Sequence, residues 1–111
     1  INKPKILILG ITFKENCPDI RNSKVFDLYK ELSLHKVNIN VHDPIADYND
    51  VKDNFNIKMV NSDNFLEYNA IVFAVPHNQF KNKKYTSLLN KETIIYDLKN
   101  MLNSDFVNER L

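Results

Sequence analysis

Hydrophobic and polar residues alternate in blocks along this chain, and the blocks change period. Lys5-Ile6-Leu7-Ile8-Leu9 is a short continuous apolar run, the pattern of a strand buried on both faces and so of a parallel sheet. After it, Val25, Leu28, Tyr29 and Leu32 fall at i, i+3, i+4 and i+7. That spacing lays one apolar stripe along a helix, and Ser23 stands where an N-cap belongs. Val37, Ile39 and Val41 alternate with polar residues in a second strand that ends at Asp43-Pro44. Ala46 to Asn56 is polar, part helix and part loop, and Ile57 to Val60 reads as a short third strand. Ser62 is placed to cap a brief helix carrying Phe65 and Leu66.

The most apolar run, Ala70 to Val75, is the expected central strand and stops at Pro76-His77-Asn78. Phe80 to Asn90 is amphipathic and lysine-rich, with Phe80, Tyr85, Leu88 and Leu89 able to face inward. Thr93 to Asp97 is the last expected strand and leads into Leu98-Lys99-Asn100. Ser104 is placed to cap a terminal helix with Phe106 and Val107. Strands alternating with helices imply right-handed crossovers. The expectation is a three-layer α/β/α sandwich, Rossmann-like, with a parallel sheet of about five or six strands.

In such sheets ligands bind beyond the carboxyl ends of the strands, near a topological switch point. The polar clusters of this chain follow strands: Thr12 to Arg21, Asp43-Pro44, Pro76-His77-Asn78 and Asp97 to Asn100. They can converge on one edge as a site, or be ordinary polar loops.

Composition narrows the classes. The chain has 111 residues, one compact domain's worth, with 43% hydrophobic and 26% charged residues. Its formal net charge is +1, too small a field to gather nucleic acid or an anionic membrane. No apolar run approaches a membrane span. A single cysteine, Cys17, forbids an internal disulfide and fits a reducing cytoplasm. Ile1-Asn2-Lys3-Pro4 has no initiator Met and does not resemble a signal peptide, so the expectation is a segment of something longer.

The candidate chemistry sits in Gly10 to Ser23. A dinucleotide turn needs G-x-G-x-x-G, but Gly10-Ile11-Thr12-Phe13-Lys14-Glu15 carries one glycine of the three. Asp43, at the end of the second strand, resembles a ribose-binding acid but is a weak signal alone. A phosphotransfer receiver would need an acidic pair where this chain has Leu9-Gly10. Cys17 has no histidine near it in sequence and reads as an incidental thiol. His35, His42 and His77 share no metal-ligand spacing, so no metal is expected. Lys14, Arg21 and Lys99 all follow strand ends. They form either an anion site with Phe13 beside a flat base, or a self-neutralising loop in which Lys14 and Arg21 pair with Glu15 and Asp19.

Gly10-x-Thr12-Phe13-Lys14 followed by Asp19-x-Arg21-x-Ser23 resembles the opening of the C-terminal domain of UDP-glucose/GDP-mannose dehydrogenases. The likeness continues through Val41-His42-Asp43-Pro44, through Ala74-Val75-Pro76-His77 with Phe80, and through Tyr96-Asp97-Leu98-Lys99. It implies that Phe13 and Lys14 contact the UDP part of a sugar nucleotide, with Lys14 near the diphosphate. It implies that Lys99 also touches the substrate and that Arg21 reaches NAD bound by another domain. Asp19 would brace the basic residues, and Arg21 would lie exposed in this domain by itself.

A lysine at 99, where UDP-glucose enzymes usually carry arginine, resembles the branch acting on UDP-N-acetylhexosamines. The family oxidises the sugar C6 alcohol to a carboxylate with two NAD, through a cysteine in a Gly-rich motif that this chain lacks. The resemblance therefore implies residues 1–111 as a UDP-sugar-binding domain, inactive alone. Its partners would be the UDP-sugar and the remaining domains of a cytoplasmic homo-oligomer in polysaccharide biosynthesis. A free-standing nucleotide-responsive module is the alternative.

Overall fold

The structure, a computed structural model, describes residues 3–61, 67–81, 85, 93–98 and the backbone of 109–110. Five parallel strands form one sheet: β1 (Lys5–Leu9), β2 (Asn38–His42), β3 (Ala70–Phe73), β4 (Ile94–Asp97) and β5 (Glu109–Arg110). Their spatial order is β2-β1-β3-β4-β5. Four strands have four or five residues and the fifth only two, so the sheet lies at the low end of the expected size. Parallel neighbours need crossovers, and β1 and β2 are joined through helix α1 (Lys24–Leu32). Helix α2 (Tyr48–Phe55) follows β2.

Strand alternation splits the core in two. Leu7 and Leu9 point to one face, with Ile71, Phe73, Ile95, Phe80 and Tyr85. Ile8 points to the other, with Val41, Val72 and Val51 of α2. The stripe Val25, Leu28, Tyr29 and Leu32 packs on that second face. Phe26 joins it and stacks on Phe55 at 3.9 Å between ring centres, tying α1 to α2. Burial on both faces explains why β1 has no polar alternation.

Ser23 caps α1, its hydroxyl accepting from the Phe26 N–H at 3.3 Å. Asp47 caps α2 the same way through Asp50, at 2.9 Å. Asn56 closes α2 in the left-handed region at φ 57°, a conformation asparagine tolerates better than most residues.

One expected strand is absent. Ile57 to Val60 forms no ladder, although the Val60 N–H donates to the Val41 carbonyl at 2.8 Å. The Val60 carbonyl in turn lies 2.8 Å from His42 Nδ1. Ile57 and Met59 face the helices' side of the core while Val60 packs against the opposite side. The segment is thus extended and alternating, which is what its sequence shows, without pairing as a strand. The helices expected after Ser62 and Ser104, together with Leu88, Leu89 and Lys99, lie outside the described residues.

Candidate functional site

The order β2-β1-β3 reverses direction at β1, so the loops after β1 and β3 leave a crevice between them, the place where such sheets bind ligands. A cleft of about 320 Å³ opens there. Its walls are Thr12, Phe13, Lys14 and Glu15 after β1, Ala74 to Pro76 after β3, and Lys24 and Val25 at the start of α1. Phe13 is 53% exposed and leaves its ring open on the cleft wall. Among the described residues no carboxylate lies within salt-bridge distance of Lys14. Beside the Glu15 carboxylate the cleft carries two lysines, an open aromatic ring and the positive end of a capped helix, a set with net positive charge that suits an anion attached to a planar group.

Beneath the cleft a polar cluster fixes the loop. Asp43 Oδ2 accepts from the Ile11 N–H at 2.7 Å and from His77 Nε2 at 2.9 Å. Its Oδ1 accepts from the N–H groups of Ile45 and Ala46, at 2.8 and 3.0 Å. Burial pushes the Asp43 carboxyl up. The hydrogen bonds from His77, Ile11 and Ala46 outweigh that and hold it below the usual carboxylate range. His77 is fully buried. Its Nδ1 accepts from the Asn16 N–H at 2.9 Å, so the ring proton is on Nε2, aimed at Asp43 with Thr12 Oγ1 also 3.2 Å away. Thr12 donates its hydroxyl proton to the Lys14 carbonyl at 2.9 Å. Asn16, in the left-handed region at φ 59°, accepts from the Asn78 N–H at 2.9 Å.

Arg21 is elsewhere. Its side chain is 85% exposed and makes a two-pronged contact with Asp19, Nε to Oδ1 at 3.0 Å and Nη2 to Oδ2 at 2.9 Å. Those bonds push the Asp19 carboxyl down to about 2. The pair lines a second groove of about 490 Å³ with Pro18, Ile20, Asn22, Asp50, Asn54 and Phe55. The loop is therefore half self-neutralising: Arg21 pairs with Asp19 as one reading required, while Lys14 pairs with no described carboxylate.

Of the residues the sequence nominates, Phe13 and Lys14 share the cleft, Arg21 faces a different groove, and Lys99 is outside the described residues. Lys24 was not anticipated as a cleft cation; its place directly after the helix cap was the available signal. Asp43, which resembled a ribose-binding acid, has both oxygens occupied and is buried. It has no spare acceptor for a ribose, so a self-contained dinucleotide site at this turn does not fit.

The sequence profile described as "UDP-glucose/GDP-mannose dehydrogenase family, UDP binding domain" matches residues 7–104. The chain belongs to that family. Within the family it is 40% identical over 103 residues to Protein CapL of Staphylococcus aureus, covering 91% of this chain and 24% of that protein. It is 36% identical over 114 residues to a UDP-N-acetyl-D-glucosamine 6-dehydrogenase of Pseudomonas aeruginosa, covering 100% of this chain and 27% of the relative. The chain thus spans about a quarter of the length of the curated relatives it matches. Its fold is similar to that of a UDP-D-ManNAc dehydrogenase from Pyrococcus horikoshii, with a TM-score of 0.74 at 22% identity, over 98% of this chain and 25% of that one. As a UDP binding domain of this family, the chain has its open cleft at the switch point.

Proposed function

We propose that the cleft beneath Phe13 and Lys14 binds the UDP of a nucleotide sugar, and that the chain is the substrate-binding domain, residues 1–111, of an NAD-dependent nucleotide-sugar 6-dehydrogenase. Such an enzyme oxidises the sugar C6 alcohol to a carboxylate. The observation that carries this reading is Lys14, with no carboxylate partner among the described residues, beside an exposed Phe13 at the switch point of a UDP-binding-domain family. Phe13 covers the flat base, Lys14 meets the diphosphate, and Lys24 adds a second cation to the same wall. Lys99, just beyond the end of β4, also contacts the substrate. UDP-GlcNAc and UDP-ManNAc are favoured over UDP-glucose, because relatives carrying those names match across 96% or more of this chain.

The fit to NAD is partial. The first turn lacks the needed glycines and Asp43 is spent internally, so this chain alone does not hold the dinucleotide. Arg21, exposed on its own groove, would reach NAD held by a further domain of the same enzyme. The chain itself supplies no catalytic residue in this reading. No helix among the described residues is long and apolar enough to cross a membrane. A cytoplasmic homo-oligomer is part of the same proposal and rests on the family resemblance alone.

NMR titration of the chain with UDP, with NAD for comparison, tests this. Half a site should bind UDP with Kd on the order of 1 mM, about 4 kcal/mol. Shifts should cluster at Phe13, Lys14 and Lys24 for UDP and be absent there for NAD. Shifts from NAD alone, or UDP shifts centred on the Arg21 groove, would reject the assignment.

A further inference from the structure

The cluster under the cleft has no part in the contacts proposed above, yet it touches the ligand loop from two sides. We infer that His77 is a positioning residue that clasps the Gly10–Asn16 loop and so holds Phe13 and Lys14 ready for the nucleotide. The inference rests on the reading of the cleft as a UDP site.

His77 stands at the end of the loop after β3, fully buried, and is bonded on both ring nitrogens. Nδ1 accepts the Asn16 N–H, two residues past Lys14. Nε2 faces Asp43, which in turn holds the Ile11 N–H, two residues before Phe13. Thr12 Oγ1 lies against Nε2 and donates to the Lys14 carbonyl. Every described anchor of residues 11, 12, 14 and 16 in this cluster is thus His77 or a direct neighbour of it. Between those anchors the side chains of Phe13, Lys14 and Glu15 are exposed and line the cleft, and the Phe13 N–H is held separately by the Asp19 carbonyl at 2.7 Å. A loop held this way loses little conformational freedom when the ligand arrives, which favours affinity without any contact between His77 and the ligand. One imidazole does the work because it accepts at the δ position and donates at the ε position. Asparagine and glutamine each place an amide at one of these alone.

That difference supplies the test. His77→Asn keeps an acceptor for the Asn16 N–H and loses the donor to Asp43. His77→Gln keeps the donor to Asp43 and loses the acceptor for Asn16. UDP titration of the chain and of both variants would be read beside the urea midpoint and the hydrogen exchange of the Asn16 amide. His77→Gln is expected to raise the UDP Kd by about fivefold to tenfold and to speed Asn16 exchange by a similar factor. His77→Asn should stay within about threefold of the parent in Kd, whatever its urea midpoint.

A merely structural role predicts the opposite pattern, with Kd following the urea midpoint in both variants, and that result would overturn the inference. So would unchanged Asn16 exchange in His77→Gln, whether or not UDP binds. Failure of the parent chain to bind UDP would instead strike at the cleft assignment. Should His77→Gln not fold, Thr12→Val reads the same clasp at its bond to Lys14. A Kd raised about threefold supports the clasp, and an unchanged Kd rejects it.

Discussion

Single atoms decide much of the geometry at the first turn. Gly10 has φ +101°, and a Cβ there would lie 2.6 Å from Val75 Cβ and 2.8 Å from the Val75 nitrogen. Both the backbone angle and the space demand glycine, so Gly10→Ala should cost at least about 2 kcal/mol in urea unfolding. A loss under about 0.5 kcal/mol would show that Val75 can move aside. Asp43 gives a pH signature with a definite sign. Its folded pKa is depressed, so its stabilising share is complete above the unfolded value, about 3.9, and is lost as the pH falls through the lower folded value. The urea midpoint should therefore fall on acidification below about pH 4, and Asp43→Asn should be less stable at pH 7 with a flatter acid slope. An unchanged slope in that variant would assign acid sensitivity to other groups, Asp19 first, since its pKa of about 2 titrates in the same direction.

At the scale of elements, local signals worked where they were local. Ser23, the helical stripe and the runs of β1 and β3 all acted as their spacing demands, because capping and periodicity are fixed within a few residues. Asp47→Ala should accordingly cost about 1 kcal/mol in thermal or urea unfolding, since its side chain is the N-cap of α2. The misjudged segment, Ile57 to Val60, alternates like a strand, and alternation reports two-sided burial as well as sheet pairing. The clasp was invisible for a different reason. Thr12, Asp43 and His77 were each noted at a strand end, but their bonds join residues 34 and 65 positions apart. Only the order β2-β1-β3 brings those ends together, and no spacing rule states that order. Phe26, off the predicted stripe, was missed because its partner Phe55 belongs to another helix.

For the whole molecule, the two basic residues singled out in one motif face two different grooves. Lys14→Ala should weaken UDP by about threefold to tenfold, while Arg21→Ala should leave the UDP Kd within about twofold. Equal losses from both would mean that one ligand spans the loop. The division also suits a domain whose loop meets substrate on one side and another domain on the other.

The Val60 contacts have a consequence for how copies of this chain meet. β2 ends the described sheet, and the outer edge of a parallel sheet offers bare amide and carbonyl groups to any passing strand. Val60 takes up the Val41 carbonyl on that side, and its own carbonyl is held by His42. It does so from a segment that never forms a ladder and so presents no fresh edge in regular register. The failed strand is a guard rail: it blunts the border against edge-to-edge aggregation, leaving association to surfaces other than the β2 edge.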